Sequence, residues 1–393
     1  MGNKPTYDVC IIGGGVIGAA ISRELSRYQL KTITIEKNKK VAMETSAGNS
    51  GVIHGGFDPT PGKLTAKLNI EGHKLYQTIF KELNIPHQQV NSLVIAFTAE
   101  EQEHLQMLYE RGITNHVNPK DLRLIDQAEV KTLEPNISNQ VLSALLCTSS
   151  WVVDPVILTK SFFSNSIKNH QELVLDHLVT NIKYHPEQSH FEITSLHHNQ
   201  TITYFAKYLI NAAGHYCDIL AAQAGYPDYE LVTKRGEYRV LEKSEGNLVN
   251  NIIFMVPTIH GKGVIVAPML DGHLLVGPTA EDNVPKAETR LVTTAMYEKI
   301  GQIGVKIIPN LKMEKTCQTF AGSRPIEPLS KDFYLKPAHD NPKFINVAGT
   351  KSPGLSSAPA IAKYICHLLS DAGCQLVKNP DFDPIQLEII PTI

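Results

Sequence analysis

A glycine triplet set between two β-rich runs constrains this chain more than any other feature. Tyr7-Asp8-Val9-Cys10-Ile11-Ile12 breaks into Gly13-Gly14-Gly15-Val16-Ile17-Gly18, and Ala19 to Tyr28 then has helical composition. Lys31 to Ile35 reads as a second strand, closed by Glu36. Gly13, Gly15 and Gly18 fill the G-x-G-x-x-G spacing: a tight turn, close backbone approach to a pyrophosphate, and close packing of helix on strand. The free N–H groups at the helix start favour an anion, and Glu36 stands where a carboxylate accepts from ribose hydroxyls. An ADP moiety is therefore the expected ligand, with NAD and FAD both open. Glu36 would repel a 2′-phosphate.

A chain of 393 residues exceeds one ordinary core, so two domains, or one nucleotide domain carrying an insertion, are expected. The net charge of −2 gives no electrostatic case for nucleic acid or an acidic membrane as the main partner. Six cysteines scattered without C-x-x-C pairs suggest neither a zinc site nor a disulfide framework, so no metal is expected and a reducing, cytoplasmic location is. No apolar run reaches the roughly 18 residues of a membrane span, which leaves peripheral contact open.

After Glu36 comes a long irregular stretch, 38 to 62, centred on Thr45-Ser46-Ala47-Gly48-Asn49-Ser50-Gly51-Val52-Ile53-His54. Loops this long inside a compact domain are usually functional or disordered, and small residues let a backbone lie close to a flat ligand. His54 taken alone reads first as a turn histidine satisfied by a neighbouring carbonyl. The fingerprint and the T-S-x-x-N-S-G-x-x-H loop together resemble the glycine/D-amino-acid oxidase family of FAD proteins. The loop is most similar to the branch holding the glycerol 3-phosphate oxidases of mollicutes and the L-2-hydroxyglutarate dehydrogenases. The resemblance implies that this loop runs along the flavin and presents His54 to substrate.

Further along, a leucine stripe gives a helix over 62–84, and 92–98 reads as a strand. Residues 100–111 and 121–133 read as helices, and Asp154-Pro155 opens another through Lys168. A strand is expected over 173–179, then a meander over 181–205, then a strand ending in Ala212-Ala213-Gly214. From Tyr229 the runs 236–241, 252–256, 263–268 and 274–276 predict an antiparallel sheet, with Asp271-Gly272 as a hairpin turn. Helical composition returns over 290–307. His260-Gly261-Lys262-Gly263 could be a solvated hairpin tip, but its surroundings resemble the mollicute oxidases. Arg324 in Gly322-Ser323-Arg324-Pro325 needs an anion or acceptors if buried: a structural salt bridge, or, as the family resemblance implies, the substrate anion. The last strand, 343–347, runs into Gly349-Thr350-Lys351-Ser352-Pro353-Gly354-Leu355-Ser356, a second turn opening a helix.

The resemblance covers nearly the whole chain. It implies an α/β fold with a Rossmann-like FAD-binding domain of the GR2 type (1–83, 143–226, 330–393) and an inserted α+β substrate domain on a mostly antiparallel sheet (84–142, 227–329). It implies FAD contacts at Gly13, Gly15, Ile17, Gly18, Glu36, Thr45, Ser46, Ser50, Gly51, Val52, Val179, Gly214, Gly349, Thr350, Lys351, Gly354, Leu355 and Ser356. It further implies oxidation of glycerol 3-phosphate to dihydroxyacetone phosphate with O2 reduced to hydrogen peroxide. His54 would be the base and Lys262 would sit near flavin N5; Arg324 would clamp phosphate, with Ser50 and Ser352 on substrate oxygens. A dehydrogenase for L-2-hydroxyglutarate or another 2-hydroxy acid, an amine oxidase, and a flavin-binding module without turnover are the other readings.

Overall fold

The computed structural model describes residues 6–256 and 263–393. Its first sheet is built on Thr6–Ile12, flanked in parallel by Thr32–Ile35 and Gln200–Asn211. Along this strand Val9 and Ile11 face one core, Cys10 and Ile12 the other, and all four are at most 4% exposed. A strand covered on both faces can be apolar throughout, which is why no polar alternation appears here. Glu172–Val174 extends the sheet beyond Thr32–Ile35. Gln200–Asn211 is shared: its first half pairs with the meander strand His190–His197, its second half with Asn341–Ala348. The helices Val16–Leu25, Pro155–Lys168, Leu64–Glu82 and Gly354–Asp371 pack on one another around the first core. Ile361, Ile365 and Leu369, spaced four apart, are each fully buried there.

Among the described residues the second sheet has nine strands, the short Glu281–Asp282 on Val232–Leu241 among them. Val232–Leu241 lies between Thr316–Ile326 and Leu274–Gly277, and the order continues through Ile265–Pro268, Ile252–Met255, Ser92–Ala96, Ser143–Cys147 and Leu122–Asp126. Pairing is mostly antiparallel, with Ile252–Met255 parallel to Ser92–Ala96. A short third sheet links the two: Val52–Ile53 and His87–Gln89 pair with Trp151–Val153. It carries the chain from the nucleotide loop to His54. The six cysteines are unpaired in the structure.

Two local expectations are corrected. Residues 121–133 are not one helix: Leu122–Asp126 is a strand paired with Ser143–Cys147, and Asp126 caps the helix Gln127–Leu133 by accepting from Glu129 N–H. Leu122 and Ile125 are buried against the sheet, and the carboxylate cap fixes where strand ends and helix begins. The expected strand 173–179 is interrupted by a turn at Asp176, whose φ is +62°, so Glu172–Val174 and Leu178–His185 join different partners. Ser143–Cys147 pairs with Ser92–Ala96 in the second sheet.

Candidate active site

The glycine turn behaves as its spacing requires. Gly13 has φ +121°, and a Cβ there would lie 2.3 Å from the Ala212 carbonyl oxygen; a Cβ on Gly18 would lie 2.0 Å from the Gly13 carbonyl oxygen. The first forces the turn against the neighbouring strand, the second draws the helix onto the turn. Gly15 caps Val16–Leu25 in extended conformation with no side-chain cap. Ser46 Oγ accepts the Val16 N–H at 2.9 Å, which leaves other N–H groups of the first turn without intrahelical partners. Glu36 is held from behind: its carboxylate accepts from Gly14 N–H at 2.6 Å and from Asn38 N–H at 2.8 Å. Burial raises its pKa, opposed by those hydrogen bonds.

In front of this turn lies a cavity of about 450 Å³, within the range of small-molecule and cofactor sites. Of the residues singled out from sequence, Gly13, Gly15, Ile17, Glu36, Thr45, Ser46, Ser50, Val52, His54, Val179, Gly214, Arg324, Thr350, Lys351, Ser352, Gly354 and Leu355 line it. Gly18, Gly51, Gly349 and Ser356 stand behind the wall. Gly51 and Gly349 have φ of +68° and +63° and shape the backbone of their turns. Lys262 lies outside the described residues. Tyr238, Phe254 and His215 also line the cavity and were missed, since isolated positions in apolar or mixed runs carry no motif; Ser323, inside the Arg324 block, lines it too.

His54 is placed by its backbone. Its N–H donates to Ser356 Oγ at 2.9 Å and its carbonyl accepts from Asn69 Nδ2 at 3.1 Å, so two helices pin one residue. Its ring lies 5.8 Å from the Phe254 ring, centroid to centroid. The loop before it is tied by Asn49, whose amide donates to the Ser46 carbonyl at 2.6 Å and accepts from Gly51 N–H at 2.8 Å. That loop crosses the strand Thr316–Ile326 so closely that a Cβ on Gly48 would fall 2.7 Å from Gly322 Cα. The crossing brings the histidine loop and Arg324 to one cavity.

Arg324 opens onto the cavity, and its Nη2 donates to the Thr279 carbonyl at 2.5 Å. Gly236 makes room for it: a Cβ there would sit 2.5 Å from Nη2. Among the described residues no carboxylate lies within ion-pair distance of Arg324, so the structural salt bridge does not form. Burial lowers its pKa, the expected effect on a cation short of counter-charge. Lys351, on the same wall, is also lowered, first by burial and then by Lys63.

The wall has polar capacity to spare. Thr45 Oγ1, Ser323 Oγ and both ring nitrogens of His215 are buried without hydrogen-bond partners. Orphaned polar atoms around an apolar-lined cavity, beside a helix start and a ribose-type carboxylate, fit a large ligand with phosphates and hydroxyls, as FAD is.

Comparison with known proteins agrees. The family model of FAD dependent oxidoreductases matches residues 8–368. The glycerol 3-phosphate oxidase of Mycoplasma pneumoniae is 43% identical over 96% of this chain and 97% of its own. A glycerol 3-phosphate dehydrogenase of Caloramator mitchellensis is 37% identical over 98% of this chain and 78% of its own. The solved structure of dithionite-reduced L-alpha-glycerophosphate oxidase from Mycoplasma pneumoniae with FAD bound superposes with a TM-score of 0.93 at 42% identity, covering 98% of this chain and 100% of that one. With a family match over most of its length and relatives aligned almost end to end, the chain belongs to the DAO family of FAD-dependent oxidoreductases, and its cofactor is FAD.

Proposed function

We propose that this protein oxidises sn-glycerol 3-phosphate to dihydroxyacetone phosphate and passes the electrons to O2, giving hydrogen peroxide. The observation that carries the reading is the meeting, in one cavity, of a backbone-pinned imidazole and a guanidinium with no carboxylate partner among the described residues. A secondary alcohol next to a phosphate needs those two groups, a base and an anion clamp. Relatives aligned along 96% of the chain bear the name glycerol 3-phosphate oxidase, which favours phosphate over carboxylate and O2 over another acceptor.

When bound, the flavin supplies the hydride acceptor for the C2 hydrogen. His54 takes the C2 hydroxyl proton. Arg324 donates N–H groups to the phosphate and so fixes which end of the substrate points at the histidine. Ser50 and Ser352 hold substrate oxygens, and Lys262, which lies outside the described residues, aids alkoxide formation or the reaction of reduced flavin with O2. Gly13, Gly15, Ile17, Glu36, Thr45, Ser46, Val52, Val179, Gly214, Thr350, Lys351, Gly354 and Leu355 hold the cofactor, with Gly18, Gly51, Gly349 and Ser356 shaping the backbone behind them. The first sheet and its helices form the FAD-binding domain; the second sheet forms the substrate domain. No described helix is long and apolar enough to cross a membrane, and six free cysteines suit the cytoplasm.

The second reading is a 2-hydroxy-acid dehydrogenase with Arg324 on a carboxylate. L-2-hydroxyglutarate dehydrogenase of Caenorhabditis briggsae is 33% identical over 70% of this chain, but the match spans only 64% of that protein. Anaerobic mixing of the yellow protein with each compound separates the two. Bleaching by sn-glycerol 3-phosphate at low millimolar concentration supports the proposal; bleaching by L-2-hydroxyglutarate alone supports the second reading.

A further inference from the structure

His215 belongs to no motif and has no role in the reaction described above, yet its surroundings are unusual. It lies in the one-turn 3-10 helix Gly214–Tyr216, just after the strand Gln200–Asn211, and that turn packs against the Arg324 strand and against Asn341–Ala348. The residue is 2% exposed and lines the cavity. Both ring nitrogens are buried, and neither has a hydrogen-bond partner among the described residues. A leucine or phenylalanine would fill the same space without leaving two polar atoms desolvated.

The neighbours show which part of the cavity the ring serves. Tyr216 packs on it, with ring centroids 4.2 Å apart. Lys37 lies 4.2 Å above the Tyr216 ring and pairs with Glu44 at 3.0 Å. Lys37 follows Glu36, the carboxylate at the strand end, and Glu44 immediately precedes Thr45 and Ser46. His215, Tyr216, Lys37 and Glu44 thus form one continuous patch of wall beside the glycine turn. Glu44 is close enough to influence the ring electrostatically, but the two do not form an ion pair. The ring stays neutral because burial pushes its pKa down to about 4. A neutral imidazole has one N–H to give and one lone pair to fill. It therefore asks for an acceptor and a donor together, which a phosphate oxygen and an adjacent sugar hydroxyl provide.

We propose that His215 is a cofactor-binding residue, donating from one ring nitrogen to a phosphate oxygen of the ADP half of FAD and accepting a sugar hydroxyl at the other. The inference rests on FAD occupying this cavity. Its partner is the sugar–phosphate, not the flavin ring, so the effect is on affinity and not on the chemical step.

The test uses the full chain, stripped of flavin and titrated with FAD and, separately, with ADP, following flavin fluorescence or competition. His215→Phe keeps a ring of similar size and removes both polar atoms; His215→Asn keeps one donor and one acceptor at shorter reach. The thermal midpoint of each flavin-free protein is measured alongside. The proposal expects His215→Phe to bind both FAD and ADP at least roughly tenfold more weakly, as two lost hydrogen bonds imply. His215→Asn should fall between, and the flavin-free midpoint of His215→Phe should equal or exceed wild type. FAD affinity within about twofold of wild type in His215→Phe overturns the proposal and leaves the cofactor reading intact. Weakened FAD binding with unchanged ADP binding overturns the assignment to the ADP half. Parallel loss of flavin-free stability and FAD affinity in both variants makes the ring structural and overturns it too. Failure of the stripped wild type to rebind FAD overturns the cofactor reading and the proposal with it.

Discussion

Replacing Arg324 by methionine separates substrate binding from folding, because the structure gives this guanidinium little else to do. Among the described residues its hydrogen-bond partner is one carbonyl, that of Thr279. Two charge-assisted hydrogen bonds to a phosphate contribute roughly 1.5–3 kcal/mol each, and truncating one side of a desolvated charge pair costs about 2–5 kcal/mol. At 1.4 kcal/mol per factor of ten, substrate affinity should weaken roughly 10²–10³-fold. The folded state loses one hydrogen bond to Thr279 and is relieved of a cation that burial already disfavours, so stability should move by no more than about 1 kcal/mol. The assay is stopped-flow bleaching of the flavin over a wide range of sn-glycerol 3-phosphate, with urea unfolding of the same preparation. An apparent dissociation constant within about threefold of wild type would refute the anion-clamp argument. A large loss of stability at unchanged affinity would make Arg324 a structural residue.

The other predictions concern the base, the turn and pH. His54→Gln should keep bound FAD and slow anaerobic bleaching roughly 10²–10⁴-fold, the usual contribution of a positioned base, while a rate near wild type removes that role. Gly18→Ala places a Cβ 2.0 Å from the Gly13 carbonyl oxygen, so the helix must back away from the turn; thermal melting and FAD titration should show loss of stability and weaker cofactor binding together. Glu134 sits fully buried between Gln127–Leu133 and the Asn250 and Asn251 N–H groups, and burial pushes its carboxyl up to about 7. The folded state then binds a proton that the unfolded state releases above about 4.5, so this group's stabilising contribution is full at low pH and declines as pH rises to about 7. Urea midpoints measured from pH 5 to pH 8 should show that decline in wild type, and a much flatter profile in Glu134→Gln.

Much of this architecture was legible because the residues that build it carry strong local rules. Gly13 and Gly18 had to be glycine for steric reasons that the structure then shows, since an added Cβ would lie 2.3 Å and 2.0 Å from a backbone oxygen. Asp154-Pro155 announced a helix start, and Asp154 does accept from Val156 and Ile157 N–H. Arg324 was recognisable because a charge among small and apolar residues demands an anion. What was not legible depended on distant partners. Leu122–Asp126 has no strong strand pattern and becomes a strand because Ser143–Cys147 offers its edge. Asp176 breaks the expected strand through a backbone twist that no neighbouring glycine or proline announces. His215 gains meaning only when folding buries both of its nitrogens against the cavity.

The central claim is tested most directly by product balance in air. Purified FAD-loaded protein turning over sn-glycerol 3-phosphate should release hydrogen peroxide and dihydroxyacetone phosphate in equal amounts, with O2 consumed to match. Dihydroxyacetone phosphate formed only when an artificial acceptor is supplied, with no peroxide in air, would contradict the oxidase assignment, and no bleaching by this substrate even without oxygen would contradict the account of the site itself.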